Sequence, residues 1–344
     1  MEYKLRFNFK TRYVVPILRS DKIMNHYKNE FINGKIFSKE DILKILEENR
    51  LSCKIISINY SFFKKIYIKI EEGKKIYLLK LSLDNYSIAL AKNEENGYLN
   101  LNKFYKSKFN LVNYKMINRS NNYALSKIEF INGIKGNYFE FNKFYNYNFS
   151  SELKTIQLKD YITLIKDRYY INQNNSRINE LFSHTINIFL SKYETYKIPL
   201  DASHGDFIHY NTLKTSNKNY VFDLEFFQKE RSYLYDSFHW YITPIFFKSI
   251  KFNTVFTLVN NIYSILIKIL NMKLKRYHNK LILENKKLFE TLLILFLLER
   301  YLTLNYSINL ENIDELIDNE RKIFLEKHCN LILDLLIKLT KKYN

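Results

Sequence analysis

Two neighbouring stretches decide how this chain is read: Ser203-His204-Gly205-Asp206-Phe207-Ile208-His209-Tyr210-Asn211, and Tyr220-Val221-Phe222-Asp223-Leu224-Glu225. Between them lie Thr212-Leu213-Lys214 and a polar turn, Thr215 to Asn219, so the spacing predicts a short hairpin over 212–222. Such a hairpin carries Asp223 back beside Asn211. One carboxylate and one amide oxygen on adjacent strand ends are a plausible pair of magnesium ligands, with other positions left to phosphate oxygens and water. Asp206, at the head of the loop, is an oriented carboxylate of the kind phosphoryl transfer needs at an acceptor hydroxyl.

The pattern H-G-D-x-x-x-x-N, followed by two apolar residues and D-x-E, resembles the aminoglycoside phosphotransferase and choline kinase-like family, relatives of the protein kinases. The resemblance rests on His204, Gly205, Asp206, Asn211, Asp223 and Glu225, and Tyr233-Leu234-Tyr235-Asp236 resembles that family's further aspartate, which braces the catalytic loop. It implies an α+β, bilobal, protein-kinase-like fold: a small antiparallel β lobe, a mainly helical lobe, and ATP between them. It further implies Asp206 as catalytic base, Asn211 and Asp223 as Mg2+ ligands, and Glu225 as a second ligand or an outer group. His204 is expected to hold the loop backbone, as a buried histidine in such loops does. His209 could touch the acceptor or be incidental to the loop.

A kinase-like loop of this type calls for a phosphate-binding lysine on the third strand of the first lobe, paired with a helix glutamate. Period-two alternation predicts strands at Ile56–Ile58, Lys65–Ile70 and Lys75–Leu81, the last two joined by a Glu-Glu-Gly turn at 71–73. Lys80 is the expected lysine, costly on an apolar strand without a partner. A helix is expected over Asn93–Lys106, opened by Glu94 and Glu95. Glu94 is favoured as the partner because Glu94, Tyr98 and Leu101 share one helix face. Strands are expected near Val112–Ile117 and Ala124–Ile131, and Ile128 to Gly133 resembles the hinge that passes the adenine edge. Backbone groups of Phe130, Ile131 and Asn132 would then bind the base. The stretch Asn59 to Lys65 contains no glycine, so Lys64, Lys65 or backbone amides stand where relatives use a glycine-rich phosphate loop.

Working outward, 344 residues suit two lobes, each able to bury a core, and 47% apolar residues argue against global disorder. The expected organisation is an N-terminal extension (1–50), a nucleotide-binding β lobe (51–133), and a helical lobe with the catalytic loop and acceptor region (134–344). Within the extension, a strand over Lys4–Val15 is broken by Pro16 and a helix runs from Ser38 to Glu48, started by a capping pattern. Helices are also expected at 157–170, 176–194, 254–270 and 284–304. The aromatic stretch Tyr233 to Tyr241, with Trp240, reads as an acceptor wall or as core.

The formal charge is +19, carried by 43 Lys and 11 Arg. So lysine-rich a mixture reads as a solvated surface rather than a specific nucleic-acid module, which recruits the planar arginine fork. It leaves attraction to an anionic substrate, or peripheral contact with an anionic membrane, open. Cys53 and Cys329 form neither a disulfide framework nor a zinc motif, which fits a reducing cytoplasm. The N-terminus lacks the apolar run of a secretory signal. The implied activity is an ATP- and Mg2+-dependent kinase acting on a hydroxyl of a small molecule, such as a sugar or polyol of a cell-surface glycan or an amino-alcohol. The rival readings are an inactive kinase-like interaction module and a basic nucleic-acid binder.

Overall fold

Alternation of apolar and polar residues from Lys54 onward builds the sheet that carries Lys80. A computed structural model describes residues 39–61, 65–83, 85–104, 110–137, 140–144, 153–168, 196–252, 285–310 and 315–341. Helix α1 (Lys39–Glu48) is followed by strands β1 (Lys54–Ser61), β2 (Lys65–Glu72) and β3 (Lys75–Ser82), helix α2 (Asn85–Phe104), and strands β4 (Tyr114–Arg119) and β5 (Ala124–Glu129). The sheet order is β1-β2-β3-β5-β4, with every pairing antiparallel. In the β2–β3 turn Gly73 has φ +61°, a left-handed conformation that glycine adopts without a Cβ clash. One face of the sheet buries Ile58, Ile66, Ile68, Ile70, Leu79, Leu81 and Leu125, and α1 covers it with Ile42, Ile45 and Leu46. Each such side chain contributes roughly 1.5–3 kcal/mol on leaving water.

Helix α2 starts at Asn85, eight residues before the expected start at Asn93. The entry is local: the backbone N–H of Leu83 donates to Ser87 Oγ (3.1 Å), and Ile88 and Ala91 already lie on the buried face that continues through Glu94, Tyr98 and Leu101. Glu94 therefore sits in the third turn, gripped by packing, and not at the helix N-terminus.

The chain divides into two compact units, one running up to Phe144 and taking in His209–Phe227, the other comprising Tyr145–Ile208 and Gln228–Asn344. The first adds a small sheet in the order β10-β9-β6, from β6 (Ile134–Lys135), β9 (Thr212–Lys214) and β10 (Asn219–Val221), with the short α3 (Phe141–Phe144). Thr212 pairs with Val221 and Lys214 with Asn219, which is the hairpin expected over 212–222. The second has its own sheet, β11-β8-β7, from β7 (Thr155–Gln157), β8 (Lys197–Ser203) and β11 (Gln228–Ser232), and helices α4 (Leu158–Arg168), α5 (Tyr235–Lys251), α6 (Lys286–Leu310) and α7 (Glu315–Lys341).

Helix α6 buries every residue from Phe289 to Leu304, so it forms the centre of the second unit rather than an amphipathic surface element. Buried on it, Glu299 accepts from Arg168 Nη1 (3.0 Å), Arg231 Nε (2.9 Å) and the Tyr161 hydroxyl, which itself accepts from the N–H of Ser232 (2.6 Å). Among the described residues no helix is long and apolar enough to cross a membrane. The strand expected at Lys4–Val15 and the helices expected at 176–194 and 254–270 lie outside the described residues.

Candidate active site

In the second unit the loop after β8 is held by one carboxylate. Asp236, in the first turn of α5, accepts from Ser203 Oγ (2.8 Å), from the N–H of His204 (2.8 Å) and from the N–H of Gly205 (3.0 Å), with Gly205 at φ +82°. His204 is fully buried and its Nδ1 accepts from the N–H of Asp206 (3.3 Å), a backbone-holding contact. His239, buried on α5, places Nε2 3.5 Å from Asp206 Oδ1. Burial, then the nearby guanidinium groups of Arg300 and Arg231, hold His239 well below the ordinary histidine pKa, so it is a neutral imidazole at pH 7. Trp240 has no exposed surface and packs on Phe207 (centroids 5.0 Å), so at Trp240 the aromatic stretch is core.

In the first unit, Lys80 is the centre of a buried charge cluster. Its Nζ lies 2.7 Å from Glu94 Oε1, 3.1 Å from Asp223 Oδ1 and 3.4 Å from Glu225 Oε1. Lys65, at the start of β2, adds a second ammonium 2.6 Å from the same Glu225 oxygen. Glu94, Asp223 and Glu225 each offer an oxygen within 4.8 Å of the others. Three carboxylates against two ammonium groups leave an excess of negative charge away from water. The consequence is visible at Glu94, where burial first, and then Glu225 and Asp223, act against Lys80 to bring its pKa up to about 7. Glu95 points elsewhere and pairs with Arg119 at 3.1 Å.

The segment carrying Asp223 and Glu225 is clamped by α2. Asn93 Nδ2 donates to the carbonyls of Glu225 (2.7 Å) and Phe227 (3.1 Å). One turn on, a Cβ at Gly97 would stand 2.8 Å from Leu224 Cβ and 2.9 Å from Phe227 Cβ, so only glycine allows this approach. Asp223 itself has φ +71°, a left-handed conformation that aspartate tolerates better than most residues and that turns the chain out of β10. The N–H of Phe222 donates to the carbonyl of Asn211 (3.1 Å), which brings Asp223 beside the fully buried Asn211.

A cleft of about 600 Å³ opens beside Lys80, Asn211 and Asp223 and ends at Phe130, Ile131 and Asn132. Its walls are apolar, with Leu78, Val112 and Ile128 from the sheet side and Leu213 and Phe222 from the hairpin. The N–H of Phe130 donates to the carbonyl of Ile76 (3.1 Å) and so belongs to the sheet. His209 lies in the first unit with its ring 4.0 Å from that of Tyr210, and burial and Lys135 lower its pKa to about 4.

Thus Lys80, Glu94, Asp223 and Glu225 meet, and Asn211 and the 130–132 segment line a cleft with Lys80 and Asp223, while Asp206 and His204 belong to the second unit. The contacts of Lys65 with Glu225, Asn93 with the 225–227 backbone, and His239 with Asp206 escape sequence reasoning. Lys65 alone left a trace there, as a lysine in a turn without glycine.

No family model matches the sequence, and no curated protein matches it. Among solved structures, the microcompartment-associated aminopropanol kinase aligns over 89% of this chain and 100% of its own, with 11% identity and a TM-score of 0.51. A GDP complex of a mutant aminoglycoside 2′-phosphotransferase-IIIa aligns over the same shares, with 11% identity and a TM-score of 0.50. The chain has a kinase-like fold. In this kinase-like chain the lysine–glutamate pair of the first unit joins β3 to α2, and the braced loop of the second unit follows β8.

Proposed function

We propose that this chain is an ATP- and Mg2+-dependent phosphotransferase acting on a hydroxyl of a small molecule. The observation that carries the reading is the buried set of Lys80, Glu94, Asp223 and Glu225 beside an apolar cleft. Burying so much charge is unfavourable unless a ligand uses it, and groups perturbed by burial together with specific charge partners cluster at functional sites. The kinase names of the structural neighbours point the same way.

The residues fit a divalent ion. Their donors are all oxygens, their charges leave a negative excess, and Glu94 Oε2 is buried without a hydrogen-bond partner. Asp223 and Asn211 would hold Mg2+, with Glu225 as a further ligand or one step removed. The ion would neutralise charge on the nucleotide phosphates. Lys80, kept cationic by Asp223 and Glu94, would bind those phosphates, its own pKa lying well above the usual value despite burial. The apolar walls would take the base, with Ile131 and Asn132 offering backbone groups at its edge. Asp206 would orient the acceptor hydroxyl and accept its proton, and His204 and Asp236 would keep the loop backbone in place for it.

The test is nucleotide consumption with Mg2+ across hydroxyl-bearing acceptors, run beside Asp206→Ala. Positioned general bases contribute about 10²–10⁴-fold, so wild type should consume ATP with some acceptor and the variant should lose that much. Equal turnover by both would overturn the assignment.

A further inference from the structure

The second unit contains a buried guanidinium with an unsatisfied donor. Arg300 on α6 is only 7% exposed, and among the described residues its buried Nε has no hydrogen-bond partner. It follows Phe296 by one helical turn, and the Phe296 ring meets Tyr235 at 5.1 Å and His239 at 6.2 Å, so this face of α6 looks onto α5. Four described carboxylates on the packed helices have other roles or face solvent. Glu299 serves Arg168 and Arg231, Asp236 serves the 203–205 loop, and Glu326 and Asp334 are exposed. Thr243 Oγ1, one turn after His239 on α5, is a second buried polar atom without a hydrogen-bond partner.

Arginine cannot escape burial by releasing its proton. His239 and His328 can, and both do: burial first and Arg300 next hold their pKa values well below the ordinary range. The local field is thus positive and rests on a charge that must stay. Leaving a donor of such a buried cation unsatisfied is unfavourable, so the place favours an acceptor group, best of all an anion. His239 ties it to the loop, since the same imidazole lies 3.5 Å from Asp206 Oδ1. The formal charge of +19 favours the approach of anions from a distance.

We propose that Arg300 receives an anionic group, a carboxylate or a phosphate, carried by the hydroxyl-bearing acceptor, which is therefore an acid or a phosphate ester rather than an amino-alcohol. The inference rests on Asp206 facing the acceptor, as proposed above. Arg300 binds and orients; Asp206 meets the hydroxyl.

The test separates binding from turnover. Inorganic phosphate and a short hydroxy acid are titrated into the full chain without nucleotide, and saturable binding is followed calorimetrically and by thermal shift. Wild type and Asp206→Ala should bind one of them, Arg300→Gln should bind it about 30-fold more weakly or not at all, and Arg300→Lys should retain part of the affinity. Turnover is then compared for matched sets of a polyol, its carboxylic acid and its phosphate ester, which tells the two anion sources apart. One charged form should show a KM at least about tenfold below that of the neutral polyol, and Arg300→Gln should remove that ratio. No anion binding by wild type, equal binding by wild type and Arg300→Gln, or a preference for neutral acceptors that Arg300→Gln leaves alone would each overturn the inference. Arg300-dependent binding with no ATP consumption would uphold it while removing the catalytic reading. Should Arg300→Gln fail to fold, Arg300→Lys decides, because it keeps the charge: anion binding indifferent to that change of shape sinks the proposal.

Discussion

Lys65 Nζ lies 2.6 Å from Glu225 Oε1, and both side chains are buried. The pair couples the start of β2 to the segment that follows Asp223, and Lys80 shares the same carboxylate oxygen at 3.4 Å. Replacing Lys65 by Met leaves Glu225 with one ammonium fewer and should destabilise the protein by about 3 kcal/mol. Under the proposed metal role, MgCl2 should restore more stability to Lys65→Met than it adds to wild type. Urea unfolding with and without MgCl2 measures both, and an identical Mg2+ increment in the two proteins argues against a cation at this cluster.

Gly97 sets how closely α2 approaches Leu224 and Phe227. Its Cβ contacts at 2.8 and 2.9 Å would be with Cβ atoms, which cannot rotate away. Gly97→Ala should therefore cost about 1–3 kcal/mol, against the few tenths to 1 kcal/mol that alanine normally gains inside a helix. Because Asn93 and Glu94 ride on the same helix, nucleotide KM should rise more than acceptor KM. Denaturation midpoints and steady-state kinetics check the two effects, and a stabilised Gly97→Ala would show that the helix has room to move.

Glu299 neutralises Arg168 and Arg231 at once and receives the Tyr161 hydroxyl. Glu299→Gln keeps the shape and removes the charge, leaving two guanidinium groups without their counterion. A loss of about 3–5 kcal/mol is expected, close to the effect of removing the side chain altogether with Glu299→Ala. A loss below about 1 kcal/mol for Glu299→Gln, read from equilibrium unfolding, would mean that the network acts through packing alone.

Two buried histidines make the fold sensitive to acid. His239 and His328 have folded pKa values well below the ordinary 6.5, so below about pH 6.5 the unfolded chain binds protons that the native state refuses. Their contribution is fully present above the unfolded pKa and is lost as pH falls beneath it, by about 1.4 kcal/mol per pH unit for each histidine. Urea midpoints at pH 7.5, 6 and 5 should fall accordingly, and His239→Gln and His328→Gln should each flatten the slope by about one proton. Unchanged slopes would place the protons elsewhere.

Much of this arrangement is legible from residues because its signals are local. The strands expected at 56–58, 65–70 and 75–81 follow from alternation and lie within the longer β1, β2 and β3, and the 212–222 hairpin follows from a polar turn between short apolar runs. Lys80 betrays itself as a charge on an apolar strand. Other features depend on contacts distant in sequence. The start of α2 at Asn85 is hidden because its first turn is polar and is anchored by Ser87 to the preceding backbone. Glu94 and Glu95 are adjacent and chemically alike, and only the direction of the packed face sends one to Lys80 and the other to Arg119. The closeness of Gly97 to Leu224, 127 positions later, and of His239 to Asp206, has no local signature at all.

The assignment of His209–Phe227 to the first unit shapes how the chain matures. The ribosome releases the five-stranded sheet well before it delivers Asp223 and Glu225, and at about 5–20 residues per second the interval between Phe144 and Phe227 is roughly 4–17 s. Through that interval the ammonium groups of Lys65 and Lys80 have only Glu94 of their eventual counterions. The nascent sheet must therefore keep this edge hydrated, and its final desiccation is a late event that awaits a hairpin encoded far downstream.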